Sequence, residues 1–188
     1  SIGSELCEQI AAAGATEVVL FDHSEFNLYA IEARLRSRHP ETRVVPVLDN
    51  LLDRQRLHSV LARHRPSIVF HAAAYKHVPM MESHAFEAIE NNVFGTYNVA
   101  VAAAAHGAED FVLISSDKAV RPANVMGASK RLAELLVLSL QNGRTKNVAV
   151  RFGNVLGSDG SVIPIFKQQI AAGEPITVTH PDMRRYFM

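Results

Sequence analysis

The sequence predicts an α/β fold, a doubly wound parallel sheet with helices on both faces. Three observations carry this. Short apolar runs rich in β-branched residues alternate with stretches of helical periodicity along almost the whole chain. The runs are continuous rather than alternately polar, as in strands covered on both sides. The chain has 188 residues, 48% hydrophobic and 20% charged, enough to bury a core of its own.

The elements follow in order. The opening "SIGSELCEQI" reads as a helix with no strand before it, so the sheet is expected to lack its first strand. "TEVVLFD" (16–22) is a strand ending in an acid. "EFNLYAIEARLRSRH" is a helix with Leu28, Ile31 and Leu35 on one face. "TRVVPVLD" (42–49) and "RQRLHSVLARH" (54–64) repeat the strand–helix unit. "PSIVFHAAA" (66–74) is a third strand, expected to be buried from its β-branched content. "HAFEAIENNVFGTYNVAVAAAAHG" (84–107) is one long helix closed by Gly107. "DFVLISS" (110–116) is the fourth strand, "SKRLAELLVLSLQNG" (129–143) a helix and "NVAVRFGN" (147–154) the fifth strand. A Gly/Ser loop, a helix "IPIFKQQIAAG" and a strand-like "PITVT" (175–179) close the chain. Residues 1–152 are expected to form a nucleotide-binding domain and 153–188 the start of a small substrate-binding region.

Composition excludes several classes of function. Nineteen basic and nineteen acidic residues cancel, so no net field draws the chain to nucleic acid or to an anionic membrane surface. No apolar run approaches the roughly 20 residues of a membrane span, and the N-terminal stretch lacks the parts of a signal peptide. The single cysteine, Cys7, is expected to serve packing. The nine histidines show no metal-ligand spacing, with His77, His84 and His106 isolated, so no metal is expected. Without an initiator methionine or a terminating pattern, the chain reads as a piece of something longer.

In open parallel sheets, ligands bind beyond the carboxyl ends of the strands, so the residues ending each strand are informative. Asp22 ends the first run; a carboxylate there suits the ribose hydroxyls of an adenosine and repels a 2′-phosphate, favouring NAD over NADP. The same residue, or Ser24, equally suits a helix N-cap. Asp49 stands in the corresponding place after the second run. His71 is expected to be a satisfied core histidine, and the alanines 72–74 let backbone approach a flat ligand. Gly3, at a helix start, fits the tail of a glycine turn. Arg184 and Arg185 carry planar forks suited to pyrophosphate, with the backbone N–H groups of "SDGSV" upstream. Lys76 is a weaker candidate near a sugar.

The stretches "SIGSEL", "LFDHSEFNLY", "HAAAYKHVPMME", "NNVFGTYNV", "SSDKAVRPANVMGASKR", "VRFGNVLGSDGSVIPIF" and "PDMRRYFM" span the chain in order. Together they resemble the extended short-chain dehydrogenase/reductase superfamily and, closely, its subgroup of UDP-N-acetylglucosamine 4,6-dehydratases of bacterial polysaccharide and protein-glycan biosynthesis. The resemblance implies a Rossmann-like fold, NAD as cofactor and a UDP-sugar substrate. It implies that Ile2 and Gly3 belong to the phosphate loop, and that Asp22 and Ser24 contact the adenosine ribose. Asp49 and Asn50 would contact adenine. Ala72, Ala73, Asn92, Ser115 and Lys130 would lie along the cofactor, and Lys76, Asn154, Ser161 and Arg185 along the UDP-sugar. It further implies a homo-oligomer through the long helices and a cytoplasmic location, with any membrane anchor outside this stretch.

Where the superfamily has a catalytic tyrosine, four residues before Lys130, this sequence has Met126. A thioether has no proton to give and accepts poorly. Methionine-bearing members of the subgroup are active and associated with retention at C5. The adjacent pair Asp117–Lys118 then bears the chemistry: Lys118 as base at sugar C5, Asp117 as acid at the C6 hydroxyl. Those roles require Lys118 to be lowered and Asp117 raised in pKa, and each partner opposes the shift the other needs. A 4-epimerase or reductase of the same fold, or a silent binding module for NAD or a UDP-sugar, are the alternatives. The ordinary reading of the pair is a surface ion pair.

Overall fold

A computed structural model describes residues 1–141, 143–155, 162–178 and Asp182. The first helix, α1 (Ile2–Ala12), is capped by Ser1, whose side chain accepts from the Ser4 N–H. Strand β1 (Glu17–Asp22), helix α2 (Glu25–Arg38), β2 (Arg43–Leu48) and α3 (Arg54–His64) follow. Leu28, Ile31 and Leu35 are the buried face of α2, as their spacing predicts. They close over Val18, Leu20 and Val44, with Ala11 of α1. Cys7 packs against the same cluster, and burial pushes its thiol pKa up.

The second half continues with β3 (Ile68–His71), α4 (Val78–Ser83), α5 (Ala85–Ile89), α6 (Thr96–Ala105), β4 (Asp110–Ile114), α7 (Val125–Ser139), β5 (Lys146–Val150) and α8 (Val162–Ala172). All strand pairs are parallel: β1 with β2, and β3–β4–β5 in that order. Among the described residues no ladder joins β1 to β3. Side chains bridge the two sheets instead. Leu51, Leu57 and Leu61 meet Ala102 of α6, with Phe21 and Val69 against them. A further core joins Phe111 and Leu113 of β4 to Ala133 and Val137 of α7.

The structure departs from the sequence expectations at five points. The long helix is not uniform: Glu90–Gly95, between α5 and α6, is a π-helical segment, the i→i+5 pattern common at functional sites. A short helix, α4, lies in a stretch the sequence left unassigned. Helix α7 begins at Val125, a turn earlier than its apolar spacing suggests, because Asn124 caps Gly127 N (2.7 Å) and Glu82 accepts from Val125 N (2.7 Å). Strand β3 is half exposed, with Ile68 at 45% and Phe70 at 40%, because it pairs on one side only. Residues 175–178 form no strand. Gly107 does close α6, at φ +82°, the left-handed region glycine tolerates. No described helix is long and apolar enough to cross a membrane, and no described His, Cys, Asp and Glu group could hold a metal.

Candidate functional site

Parallel pairing brings the carboxyl ends of the strands of each sheet to one edge, and the predicted residues sit there. Asp22 ends β1; its Oδ1 accepts from Ser24 N at 2.8 Å, and Ser24 Oγ in turn accepts from Asn27 N at 3.3 Å. Ser24 therefore takes the capping role that the sequence allowed to either residue, and Asp22 holds the turn before it. Asp49 N donates to the Asp22 carbonyl (3.1 Å), so the β1 and β2 ends are directly linked. The Asp49 carboxylate accepts from Asn50 N (2.7 Å) and pairs with Arg56 (3.0 Å). At the start of α1, a side chain on Gly3 would place its Cβ 3.9 Å from that of Ala72, after β3. Gly3 and Ala72 thus lie side by side where α1 starts and β3 ends, with Ile2 and Ala73 next to them, and the small side chains of Gly3, Ala72 and Ala73 suit a dinucleotide lying across this edge. Lys76 and Tyr75 are exposed on the loop that follows.

His71 is buried as expected. The Thr96 hydroxyl donates to the Asn92 carbonyl (2.6 Å), so the His71 ring must donate through Nε2 to Thr96 (2.9 Å). Burial, helped by the charge of Lys130, lowers its pKa to about 3, so it is neutral. His106, read as isolated, instead lies 3.1 Å from His58, ring nitrogen to ring nitrogen.

Asn92 is only 1% exposed, inside the π segment. Its amide accepts from Tyr75 N (2.8 Å) and donates to the Tyr75 carbonyl (3.0 Å) and to Ser129 Oγ (3.0 Å). Ser129 donates to the Met126 carbonyl (2.8 Å). Asn92 therefore ties the loop after β3 to the first turns of α7. Helical spacing could not show this, because the π segment shifts the register that buries it.

Met126 and Lys130 fall one turn apart on α7. Met126 packs with Met81 and Ala88 in an apolar cluster. Its thioether fills the volume between α4, α5 and α7. Lys130 is 4% exposed, and its ammonium donates to the Ile114 carbonyl at 2.7 Å. Burial lowers its pKa to about 8, partly offset by the charge of Glu134.

Beyond β4, Ser116 caps a single 3₁₀ turn, Asp117–Ala119. The Lys118 ammonium lies 3.0 Å from Asp117 Oδ1, with both side chains part exposed at 33% and 43%. Burial raises the Asp117 pKa, but hydrogen bonds from Lys118 and Ser116 and the Lys118 charge outweigh it, and the net direction is down. The raised acid that its role calls for is thus not present in the resting pair, where the carboxylate is ionised.

A buried carboxylate that the sequence reading passed over lies next to this turn. Glu134, 1% exposed, accepts from Ser115 Oγ (2.5 Å), Arg131 (3.0 Å) and the fork of Arg151 (2.9 and 2.6 Å). Burial pushes its pKa up, yet these donors bring it down to about 2. An acid inside the apolar run "RLAELLVL" was the signal available. Asn154 is described at an isolated bridge, whereas Ser161, Arg184 and Arg185 lie outside the described residues.

The family described as "Polysaccharide biosynthesis protein" matches residues 1–188. The chain is 54% identical over 190 residues to the probable polysaccharide biosynthesis protein EpsC of Bacillus subtilis, covering all of this chain and 32% of that protein. It therefore spans about a third of that curated relative. Among solved structures, Pen from Bacillus thuringiensis superposes with a TM-score of 0.90 at 36% identity, over all of this chain and 57% of that one. DesIV, a dTDP-glucose 4,6-dehydratase from Streptomyces venezuelae with NAD and TYD bound, matches at 23% identity and a TM-score of 0.77, over 92% of this chain and 59% of that one. That last likeness shows the fold alone, a Rossmann-like one.

Proposed function

The chain belongs to the polysaccharide biosynthesis protein family, and from that membership we propose that it forms the catalytic core of a UDP-N-acetylglucosamine 4,6-dehydratase using NAD. The observation that supports this best is the Asp117–Lys118 pair on the turn after β4, beside buried Lys130. A plain dehydrogenase or epimerase has no use for a second acid and base there. A nucleotide-sugar enzyme with a nicotinamide cofactor is also in keeping with the NAD-bound dehydratase neighbour.

The residues present fit a dinucleotide. Gly3 and Ala72 would admit the pyrophosphate, Asp22 the adenosine ribose, Asp49 and Asn50 the adenine, and Ser115 and Lys130 the nicotinamide end. The Asp22 carboxylate at the end of β1 favours NAD over NADP by charge. When bound, NAD supplies the acceptor and donor of the hydride that leaves C4 and returns at C6. Lys76, Asn154, Ser161 and Arg185 are assigned to the UDP-sugar.

The resting pair becomes the working pair by one proton transfer. The Lys118 ammonium and Asp117 carboxylate share a 3.0 Å hydrogen bond. A substrate that excludes water lowers the local dielectric and favours the neutral amine and neutral acid. Lys118 is then free to take the C5 proton, acidified by the C4 ketone, while Asp117 protonates the departing C6 hydroxyl. Lys118 returns that proton to C5 as C6 is reduced, and the proton released by the 4-hydroxyl restores the resting ion pair, so no net solvent proton is consumed. The test is to incubate the full-length protein with UDP-N-acetylglucosamine and substoichiometric NAD in heavy water. A 4-keto product lacking one water, with C5 configuration retained, is expected. An isomer of unchanged mass would point to an epimerase, and no product to a binding module.

We also propose a homo-oligomer. Leu132, Leu135 and Leu138 of α7, and Phe86 and Phe94 beside it, are exposed at 45–82% on neighbouring helices. Leu135→Glu is expected to convert the full-length protein to monomer by sedimentation, and an unchanged mass would exclude this face. The domain itself is assigned to the cytoplasmic side, with any membrane anchor outside these residues; protease protection in intact cells would read this.

A further inference from the structure

We propose that Glu134 is a positioning residue of this site, which holds the turn carrying Asp117 and Lys118 in register with Lys130. The inference rests on the dehydratase reading above and concerns a residue to which that reading gives no role.

Three segments converge on one buried carboxylate. Glu134 lies one turn after Lys130 on α7, so the two side chains share a helix face. Lys130 grips the β4 end at the Ile114 carbonyl (2.7 Å), and Glu134 grips the next residue through Ser115 Oγ (2.5 Å). Arg151, just past β5, closes the far side with a two-pronged fork on the same carboxylate. The β4 and β5 extensions are also joined directly, Ser115 N to the Val150 carbonyl (2.7 Å) and Asp117 N to the Phe152 carbonyl (3.0 Å). The catalytic turn is therefore the free end of a ribbon clamped at Glu134. Two cations and a hydroxyl saturate that carboxylate, so it is fixed in place and ionised, and is not itself a proton carrier.

Its charge also reaches Lys130. The charged and titratable groups on the elements packed around Lys130 and its helix are Glu134 and Arg131 on α7 itself, His71 at the end of β3, Asp117 and Lys118 on the 3₁₀ turn, Lys146 on β5 and Arg151 after it, Glu82 on α4, Glu87 on α5, Glu90 in the π segment and Tyr97 on α6. The π segment and α6 face α7 with the neutral Asn92 and Thr96. Of these groups, Glu134 supports the Lys130 ammonium, against burial. Lys130 keeps its proton below its folded pKa and loses it above. Removing the Glu134 charge therefore moves that loss to lower pH.

The experiment compares full-length wild type with Glu134→Gln and Glu134→Asp. NADH binding and product formation are measured from pH 6 to 10, and folding is checked by circular dichroism. In Glu134→Gln, the alkaline limb of NADH binding should move down by about 1 pH unit, the scale of a nearby opposite charge. In Glu134→Asp the charge stays and the limb should stay, while kcat falls because the shorter side chain cannot span to Ser115. A folded Glu134→Gln protein whose limb is unmoved overturns the proposal, whatever its kcat. If Glu134→Gln does not fold, Ser115→Ala decides. A kcat loss of about tenfold or more at unchanged melting temperature and unchanged NADH affinity supports the strut, and a wild-type kcat, or a loss carried by NADH affinity, overturns it. Because NADH binding needs no sugar, failure of the dehydratase reading would show separately, as wild type that binds NADH but releases no 4-keto product.

Discussion

Lys118→Ala in the full-length protein should lower formation of the 4-keto-6-deoxy product by about 10²–10⁴-fold, the range for removal of a positioned acid or base, and leave NAD affinity within about twofold, too small a change to signal lost binding energy. The two readouts separate because Lys118 sits on the turn beyond β4, while the Gly3–Ala72 approach and Asp22 lie at other strand ends. Asp117→Asn should be nearly as slow. It keeps an acceptor for Lys118 but cannot be protonated, so it tests the acid separately from the geometry. If the pair works as a unit, the double variant should be little worse than either single one, as for groups that act together. Exogenous primary amines should restore part of the Lys118→Ala rate if the missing group is a base, because a small amine can enter the vacated space. Wild-type turnover in Lys118→Ala would remove this lysine from the mechanism and with it the distinction from an epimerase.

How much of this was legible beforehand depends on what each residue's position rests on. Strands β1, β2, β4 and β5, and helices α2 and α3, follow from local apolar periodicity, and they fall where the sequence puts them because nothing tertiary competes. The local roles of Asp22 and Ser24 at the start of α2 were legible because a short side chain at a strand end finds its partner two or three residues away; His71 was legible only as a buried histidine, since its partner Thr96 lies 25 residues on. Asn92 was legible by resemblance as part of the active-site helix. Its partners, Tyr75 and Ser129, were not, because a π segment shifts the helix register and has no compositional signature. Glu134 was passed over because its four donors come from Ser115, Arg131 and the twofold fork of Arg151, three positions of which two are distant in sequence. The pairing of Asp117 with Lys118 was legible from adjacency, but not its electrostatic outcome. That depends on exposure: a half-exposed pair stays ionised, whereas the proposed reaction needs the neutral form that a bound substrate would favour.

The substitution that should separate activity from stability most sharply is Gly127→Ala. Gly127 lies in the first turn of α7, between Met126 and the Lys130 turn, and is buried. A Cβ built there would stand 2.5 Å from the Lys118 carbonyl oxygen, 3.3 Å from its carbon and 3.2 Å from Asn124 Oδ1. The obstacle is backbone, so no rotamer change relieves it; the 3₁₀ turn or the helix start must move. Overpacking of this kind costs about 1–3 kcal/mol. Alanine returns about 1 kcal/mol by its higher helix propensity, so the net loss of stability should be small. The displacement, however, falls on the residue whose amine is proposed to take the C5 proton. A shift on the order of 1 Å can cost about 10²-fold in rate. The expected result is therefore a variant that melts within a few degrees of wild type and binds NAD normally, yet has lost about 10²-fold in kcat with KM little changed. Gly127→Ser should be no better, since its Cβ meets the same carbonyl. A Gly127→Ala enzyme with full activity would mean that the turn relaxes without moving the Lys118 amine, and that close backbone packing between α7 and the turn is not what aims it.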